Sequence, residues 1–258
     1  MKQKKYDQKS ALIGTFARVA DDYNQSVYLA QVSAEAMIDR LKLMITTPDT
    51  ILDIGCGTGI FAQKLQQHYP QALIIGLDIC HNMLENTVMT QPLSLVANAC
   101  FVPVKSDYFD LITINLGLYW GDFEPIIAEC SRLLKVNGLL LFSTLGPDTL
   151  KEVRQAYHRH YLIDMHHLGD QLLQLGFTDP VMETEQLQFE YHNKQLLQRE
   201  YQALGLQHLI QLNDTIENQS TVTFEMIYGH AWRKLPPVQQ DQITIPLSSI
   251  RKKSEYGF

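Results

Sequence analysis

The sequence predicts an α/β protein built on a doubly wound, mostly parallel sheet. Three observations predict it. Short apolar runs alternate with helix-patterned segments, a glycine turn directly follows the first run, and an acid closes the second. Strands that alternate with helices pair in parallel through crossover connections. At 258 residues the chain is long enough to bury a sizeable core.

The elements follow in order. Residues 33–43 place Ala36, Met37, Leu41 and Met44 at roughly helical spacing. Residues 46–49 hold a proline and read as a loop. Residues 51–54 form the first strand, 61–68 a helix and 73–77 the second strand, ending at Asp78. A helix is expected over 82–90 and strands over 93–97 and 109–116. Residues 125–134 read as a helix ended by Asn137-Gly138, and 139–143 as a fifth strand. Beyond it, helices are expected over 148–161, 167–175 and 194–204, and strands over 181–191 and 222–228. One domain therefore runs over 1–232. The stretch 233–258, with two adjacent prolines and three basic residues at 251–253, reads as a peripheral tail.

Composition narrows the function. The net charge of −7 argues against a general nucleic-acid binder, which needs a broad basic face. Cys56, Cys80, Cys100 and Cys130 are far apart and form no CxxC pair, so no zinc cage is expected. His166 and His167 have Asp164 and Asp170 nearby but lack a convincing ligand spacing; Asp164 reads as a helix cap, and no metal is expected. The N-terminus lacks the apolar core of a signal peptide, and no apolar run is long enough to span a membrane. Together these lead to the expectation of a cytoplasmic protein with reduced thiols.

The central signal is the turn Asp53-Ile54-Gly55-Cys56-Gly57-Thr58-Gly59. Glycines let the backbone turn sharply and approach a ligand. NAD-binding folds share such a turn, but here the spacing is GxGxG, and Asp53 sits just before it. A carboxylate there repels a pyrophosphate and suits a cationic ammonium or sulfonium. Asp78, at the end of the second strand, is placed to accept both hydroxyls of a ribose. Met83, just beyond, is an apolar surface for a purine face.

The segments LDIGCGTG and GLDICHNML resemble the class I S-adenosylmethionine-dependent methyltransferases. Asn98-Ala99 stands where that family usually has Asp-Ala beside the adenine, and RLLKVNGLLLFST resembles its helix–glycine–strand segment. The resemblance implies a Rossmann-like, seven-stranded sheet. It also implies S-adenosyl-L-methionine as cofactor, S-adenosyl-L-homocysteine as product, and a cofactor set of Asp53, Gly55, Gly57, Gly59, Asp78, Met83, Asn98, Ala99 and Asn115. Five further segments, at 16–24, 114–120, 142–150, 164–170 and 228–232, resemble the malonyl-acyl-carrier-protein O-methyltransferases of biotin synthesis. That narrower resemblance divides the domain into an N-terminal helical lid (1–45), a cofactor-binding core (46–145) and substrate-side elements (146–232). It implies an acyl carrier protein bearing a malonyl thioester as partner.

The implied acceptor is a carboxylate, already ionised near neutral pH, so it needs alignment and not a general base. Arginine is the group that matches a carboxylate bidentately. Arg18, Arg154 and Arg159 are candidates. Arg154 is either the acceptor clamp or a solvated helix charge, and Arg18 either a clamp or a fixture of the lid. Tyr23 is placed to close over the methyl donor, and Tyr119 and Trp120 follow the fourth strand at the ligand-binding edge; each has a plain packing role as its alternative. The catalytic set is thus Tyr23, Arg154 and Tyr119. Lys151, Arg154 and Arg159 against Asp148 and Glu152 make a small basic face for an acidic carrier protein. Two other readings stay open: another small-molecule or quinone methyltransferase, and a methyltransferase-fold assembly factor or hydroxylase.

Overall fold

Residues 2–44, 46–89, 93–157, 162–213 and 220–234 are described by a computed structural model. Arg159 and the tail from residue 235 onward lie outside the described residues.

The chain opens with helices α1 (Lys2–Val19), α2 (Tyr23–Ser26) and α3 (Tyr28–Leu43). The alternating part follows: β1 (Thr50–Ile54), α4 (Ile60–His68), β2 (Leu73–Asp78), α5 (His81–Glu85), β3 (Leu93–Val96), β4 (Phe109–Asn115), α6 (Phe123–Leu133) and β5 (Leu134–Leu145). The rest holds β6 (Arg154–Tyr157), α7 (Met165–Gln174), β7 (Phe177–Tyr191), α8 (Lys194–Ala203), β8 (Ile210–Leu212) and β9 (Ser220–Arg233). Seven strands form one sheet in the order β3-β2-β1-β4-β5-β9-β7, and β6 pairs with β8 in a separate ribbon. Only β9 runs against its neighbours in that sheet.

Alternation in the strands builds the two cores. Ile51, Leu139 and Leu141 face one side with Met37, Leu41, Phe61 and Leu65 of α3 and α4. Leu52, Leu140 and Phe142 face the other with Ile127 and Leu133 of α6 and Leu168 and Leu172 of α7. Successive strand residues point to opposite faces, so each apolar run supplies both layers. The chain works outward from β1 to β3 and then returns to place β4 beside β1. A crevice opens at the carboxyl ends of β1 and β4, where open α/β sheets bind ligands.

Three sequence expectations change. The helix expected over 82–90 stops at Glu85, because the chain turns back over α4: Val88 N–H donates to Thr58 O (2.8 Å) and Gln63 to Val88 O (3.0 Å). Asn137-Gly138 does not separate α6 from the strand. It is an irregularity inside β5, with Asn137 at φ +62°, where pairing with β4 skips from Leu134 to Leu139. Residues 148–157 are not helical. Leu150 takes φ +54° and its N–H donates to Thr223 O (2.6 Å), while Asp148 N–H donates to Glu225 Oε2 (2.6 Å). The left-handed Leu150 and the hydrogen bonds to β9 hold this stretch out of helical geometry, and Arg154–Tyr157 pairs with β8 as a strand instead.

Candidate active site

The glycine turn is stitched to the end of β2. Gly55 and Cys56 N–H both donate to Leu77 O (2.7 and 3.1 Å). Gly57 N–H donates to Asp78 Oδ2 (2.9 Å), and Cys80 N–H to Asp78 Oδ1 (2.8 Å). Gly55 and Gly57 hold φ +67° and +55°, backbone that only glycine adopts without strain. Asp78 is thus a brace as well as a ligand candidate. Burial raises its pKa against the lowering effect of the Cys80 and Gly57 N–H groups. The Ile79 N–H adds to these, so the carboxylate keeps part of its accepting capacity for a ligand.

Asp53 lies buried beneath the turn. Its Oδ1 accepts from Thr113 Oγ1 (2.8 Å), and its Oδ2 has no partner among the described residues. Burial pushes its carboxyl up to about 7. A buried carboxylate oxygen without a donor calls for a cation or a donor nearby.

A cavity opens over this turn, in the crevice between β1 and β4. Gly55, Gly57, Asp78, Met83, Asn98, Ala99 and Asn115 all line it, with Tyr23 and Tyr119. Asp53 and Gly59 do not; Gly59 precedes α4 at φ +84°. Leu12 and Phe16 of α1 and Leu204 add apolar lining. Asn98 Oδ1 already accepts from Cys100 N–H (3.1 Å). Asn115 is a strut: its Oδ1 takes the Ser33 and Ser143 hydroxyls (2.7 and 2.9 Å), and its amide donates to Ala30 O (3.1 Å). It ties α3 to the ends of β4 and β5.

Tyr23 sits beside the turn, 3.8 Å from where a Cβ on Gly57 would stand. Burial raises its phenol, with Asp78 and Glu200 adding to the shift. Tyr119 is 1% exposed; its hydroxyl reaches Leu204 O only at 3.4 Å, and burial raises it too, with Tyr23 contributing. Arg154 is elsewhere. Its guanidinium donates to Pro147 O and to Thr149 O (2.8 Å) and stacks 4.1 Å over the Tyr157 ring, and it does not line the cavity. Arg18 donates to Thr15 Oγ1 (3.1 Å) and lines a separate groove. Lys151 pairs with Asp148 (3.4 Å). Asp164 caps α7 by accepting from His166 N–H (2.9 Å).

The lining fits an adenosyl cofactor carrying a cationic amino-acid end. Met83 and Ala99 offer apolar faces to a base, Asp78 has lone pairs for a ribose, and the acidic Asp53 lies under an open glycine backbone.

The methyltransferase domain family matches residues 52–142, the segment that carries this turn and β1 to β5. A malonyl-[acyl-carrier protein] O-methyltransferase from Gallionella capsiferriformans is 31% identical, covering 95% of this chain and 98% of that one. One of the same name from Laribacter hongkongensis is 32% identical over 88% of this chain and 90% of that one. The chain belongs to the malonyl-[acyl-carrier protein] O-methyltransferase family. It is an S-adenosylmethionine-dependent methyltransferase. Phosphoethanolamine N-methyltransferase 2 from Haemonchus contortus, in a crystal structure with S-adenosyl-L-methionine, shares the fold. Its TM-score is 0.53 at 17% identity, covering 78% of this chain and 52% of that one.

Residues that sequence reasoning missed support the elements around the cavity. Glu200 of α8, 4% exposed, accepts from Leu29 N–H (2.6 Å) and Tyr191 O–H (2.5 Å), and burial raises its pKa. It caps α3 from across the fold. In sequence it is one polar residue of an amphipathic helix, with nothing to mark it. Ser33 and Ser143, which hold Asn115, were equally unmarked. Among the described residues no group of three or more His, Cys, Asp or Glu could hold a metal ion. No described helix is long and apolar enough to cross a membrane.

Proposed function

We propose that the chain transfers the methyl group of S-adenosyl-L-methionine to the free carboxylate of a malonyl thioester on acyl carrier protein, leaving S-adenosyl-L-homocysteine and a methyl ester. The observation that carries this reading is the extent of the likeness. A relative bearing that name matches along 95% of the chain, N-terminal helices and substrate-side elements included, beyond the 52–142 stretch of the general methyltransferase domain.

When bound, the cofactor supplies an electrophilic methyl on a sulfonium. Asp78 holds the ribose with its remaining lone pairs, Met83 and Ala99 pack the base, and Asn98 borders it. Gly55 and Gly57 leave the backbone open to the amino-acid end, above Asp53. Leu12, Phe16 and Leu204 keep water out, which strengthens every charge interaction inside. The acceptor carboxylate is ionised at neutral pH, so no residue of the site has to remove a proton. What the site contributes is alignment. Asn115 contributes indirectly, by fixing the floor of the site where β4 and β5 end.

The ester has lost its charge. A chain-elongation system that moves acyl groups through apolar tunnels then accepts it, because burying an ionised carboxylate is costly. This reading assigns the product to pimeloyl and biotin synthesis. The test is methyl transfer from labelled cofactor to malonyl-, acetyl- and unloaded carrier protein. Label on malonyl-carrier alone, as a base-labile ester, supports the reading. Label on a phenolic acceptor and none on malonyl-carrier overturns it.

A further inference from the structure

The acceptor must be gripped, yet none of the described residues lining the cavity is Lys, Arg or His. The arginines that sequence reasoning offered are engaged elsewhere: Arg154 on the Pro147 and Thr149 carbonyls and the Tyr157 ring, Arg18 on Thr15. What the cavity does present is two phenols. Among the described residues no hydrogen bond is seen to the Tyr23 hydroxyl; the Tyr119 oxygen accepts from the Trp120 side chain, and its O–H makes only the long 3.4 Å contact to Leu204 O. Both stay protonated, since burial raises each above its ordinary value. Neither O–H is committed to a short hydrogen bond, so each is free to donate to a ligand in the cavity that both residues line.

We propose that Tyr23 and Tyr119 together form a neutral cradle for the acceptor carboxylate, donating two hydrogen bonds where an arginine fork was expected; this rests on the carboxylate-acceptor reading above. The chemistry favours neutral donors. A guanidinium would neutralise the attacking oxygen, whereas two phenols orient the carboxylate and leave its charge to be met by the positive charge of the methyl donor. Once esterified, the acceptor is neutral, and no cation of the cradle holds it back. The same cradle sets specificity. It suits a thioester with one carboxylate and disfavours free malonate, whose second charge has no counter-charge.

The experiment is calorimetry on the full chain saturated with S-adenosyl-L-homocysteine, so that no transfer occurs. Malonyl-coenzyme A and acetyl-coenzyme A are the probes; they differ by the carboxylate alone. The unaltered chain prefers the malonyl ester. Tyr119→Phe and Tyr23→Phe each reduce that preference about tenfold, the effect of losing one hydrogen bond to a charged group, and leave acetyl-coenzyme A affinity unchanged. Arg154→Ala keeps the preference. A thermal melt checks each variant, and if one fails to fold the other decides. The proposal is overturned if both phenylalanine variants keep the wild-type preference, or if Arg154→Ala or Arg159→Ala abolishes it. No malonyl preference in the unaltered chain contradicts the carboxylate reading itself, a result separate from failure of the cradle.

Discussion

Asp78 has two tasks that a single substitution separates from its neighbours' roles. It braces the glycine turn through Gly57 and Cys80, and under the proposed function it also accepts from a ribose. Asp78→Ala removes both, so S-adenosyl-L-methionine affinity falls by at least about 1.5–3 kcal/mol by calorimetry. Unchanged affinity would contradict the assignment. Asp53 gives a pH signature. Its carboxyl rises from an ordinary 3.8 to about 7 in the fold. The folded chain therefore holds that proton more tightly than the unfolded one. Its stabilising contribution is complete below about pH 4 and is lost as pH climbs through about 7. Thermal unfolding from pH 5 to 8 without cofactor should show this loss, and Asp53→Asn should flatten it.

At the scale of elements, side chains that join the N-terminal helices to the rest of the fold set its stability. Glu200 accepts from the first turn of α3 and from Tyr191. Glu200→Ala leaves both donors buried, at about 1–3 kcal/mol each, and lowers the unfolding midpoint. Gly205 follows α8 at φ +66°, and a Cβ there would stand 2.6 Å from the Trp120 ring, which packs edge-on against Phe16 of α1 at 5.4 Å. Gly205→Ala is expected to destabilise by about 1–3 kcal/mol, read by denaturant unfolding. Arg154 belongs here too, since it holds the turn before β6. Sequence placed it on a helix because residues 148–161 carry a helical mix of apolar and charged types. The pull of β9 on Asp148 and Leu150 is long-range and leaves no local mark.

At the scale of the whole molecule, the alternating core was legible because each strand's apolar run and each helix's apolar stripe were complete in themselves: residues 51–54, 73–77 and 109–116 become β1, β2 and β4 nearly unchanged. The glycine turn and its brace were legible for the same reason, because Gly55, Gly57 and Asp78 meet through hydrogen bonds within one βαβ unit. The opposite wall was not. It is assembled from α1, α2, the segment after β4 and Leu204 just beyond α8, which lie far apart in the chain. Partner binding is a property of the whole surface. Arg154 is committed internally and Lys151 to Asp148, so the basic face is weaker than its composition suggests. Raising salt from about 50 to 300 mM should slow methylation of malonyl-carrier protein modestly and leave malonyl-coenzyme A nearly untouched, because exposed pairs are screened beyond about 10 Å.

The central claim is methyl transfer to an acceptor that is already an anion. Its most direct test is the single-turnover rate of labelled methyl transfer to malonyl-carrier protein, with both substrates saturating, from about pH 6 to 8. The account predicts a rate nearly flat across that range and a malonyl methyl ester as product, since the acceptor carboxylate is ionised throughout. A rate that climbs tenfold per pH unit would reveal a proton that a base must remove, and would contradict it.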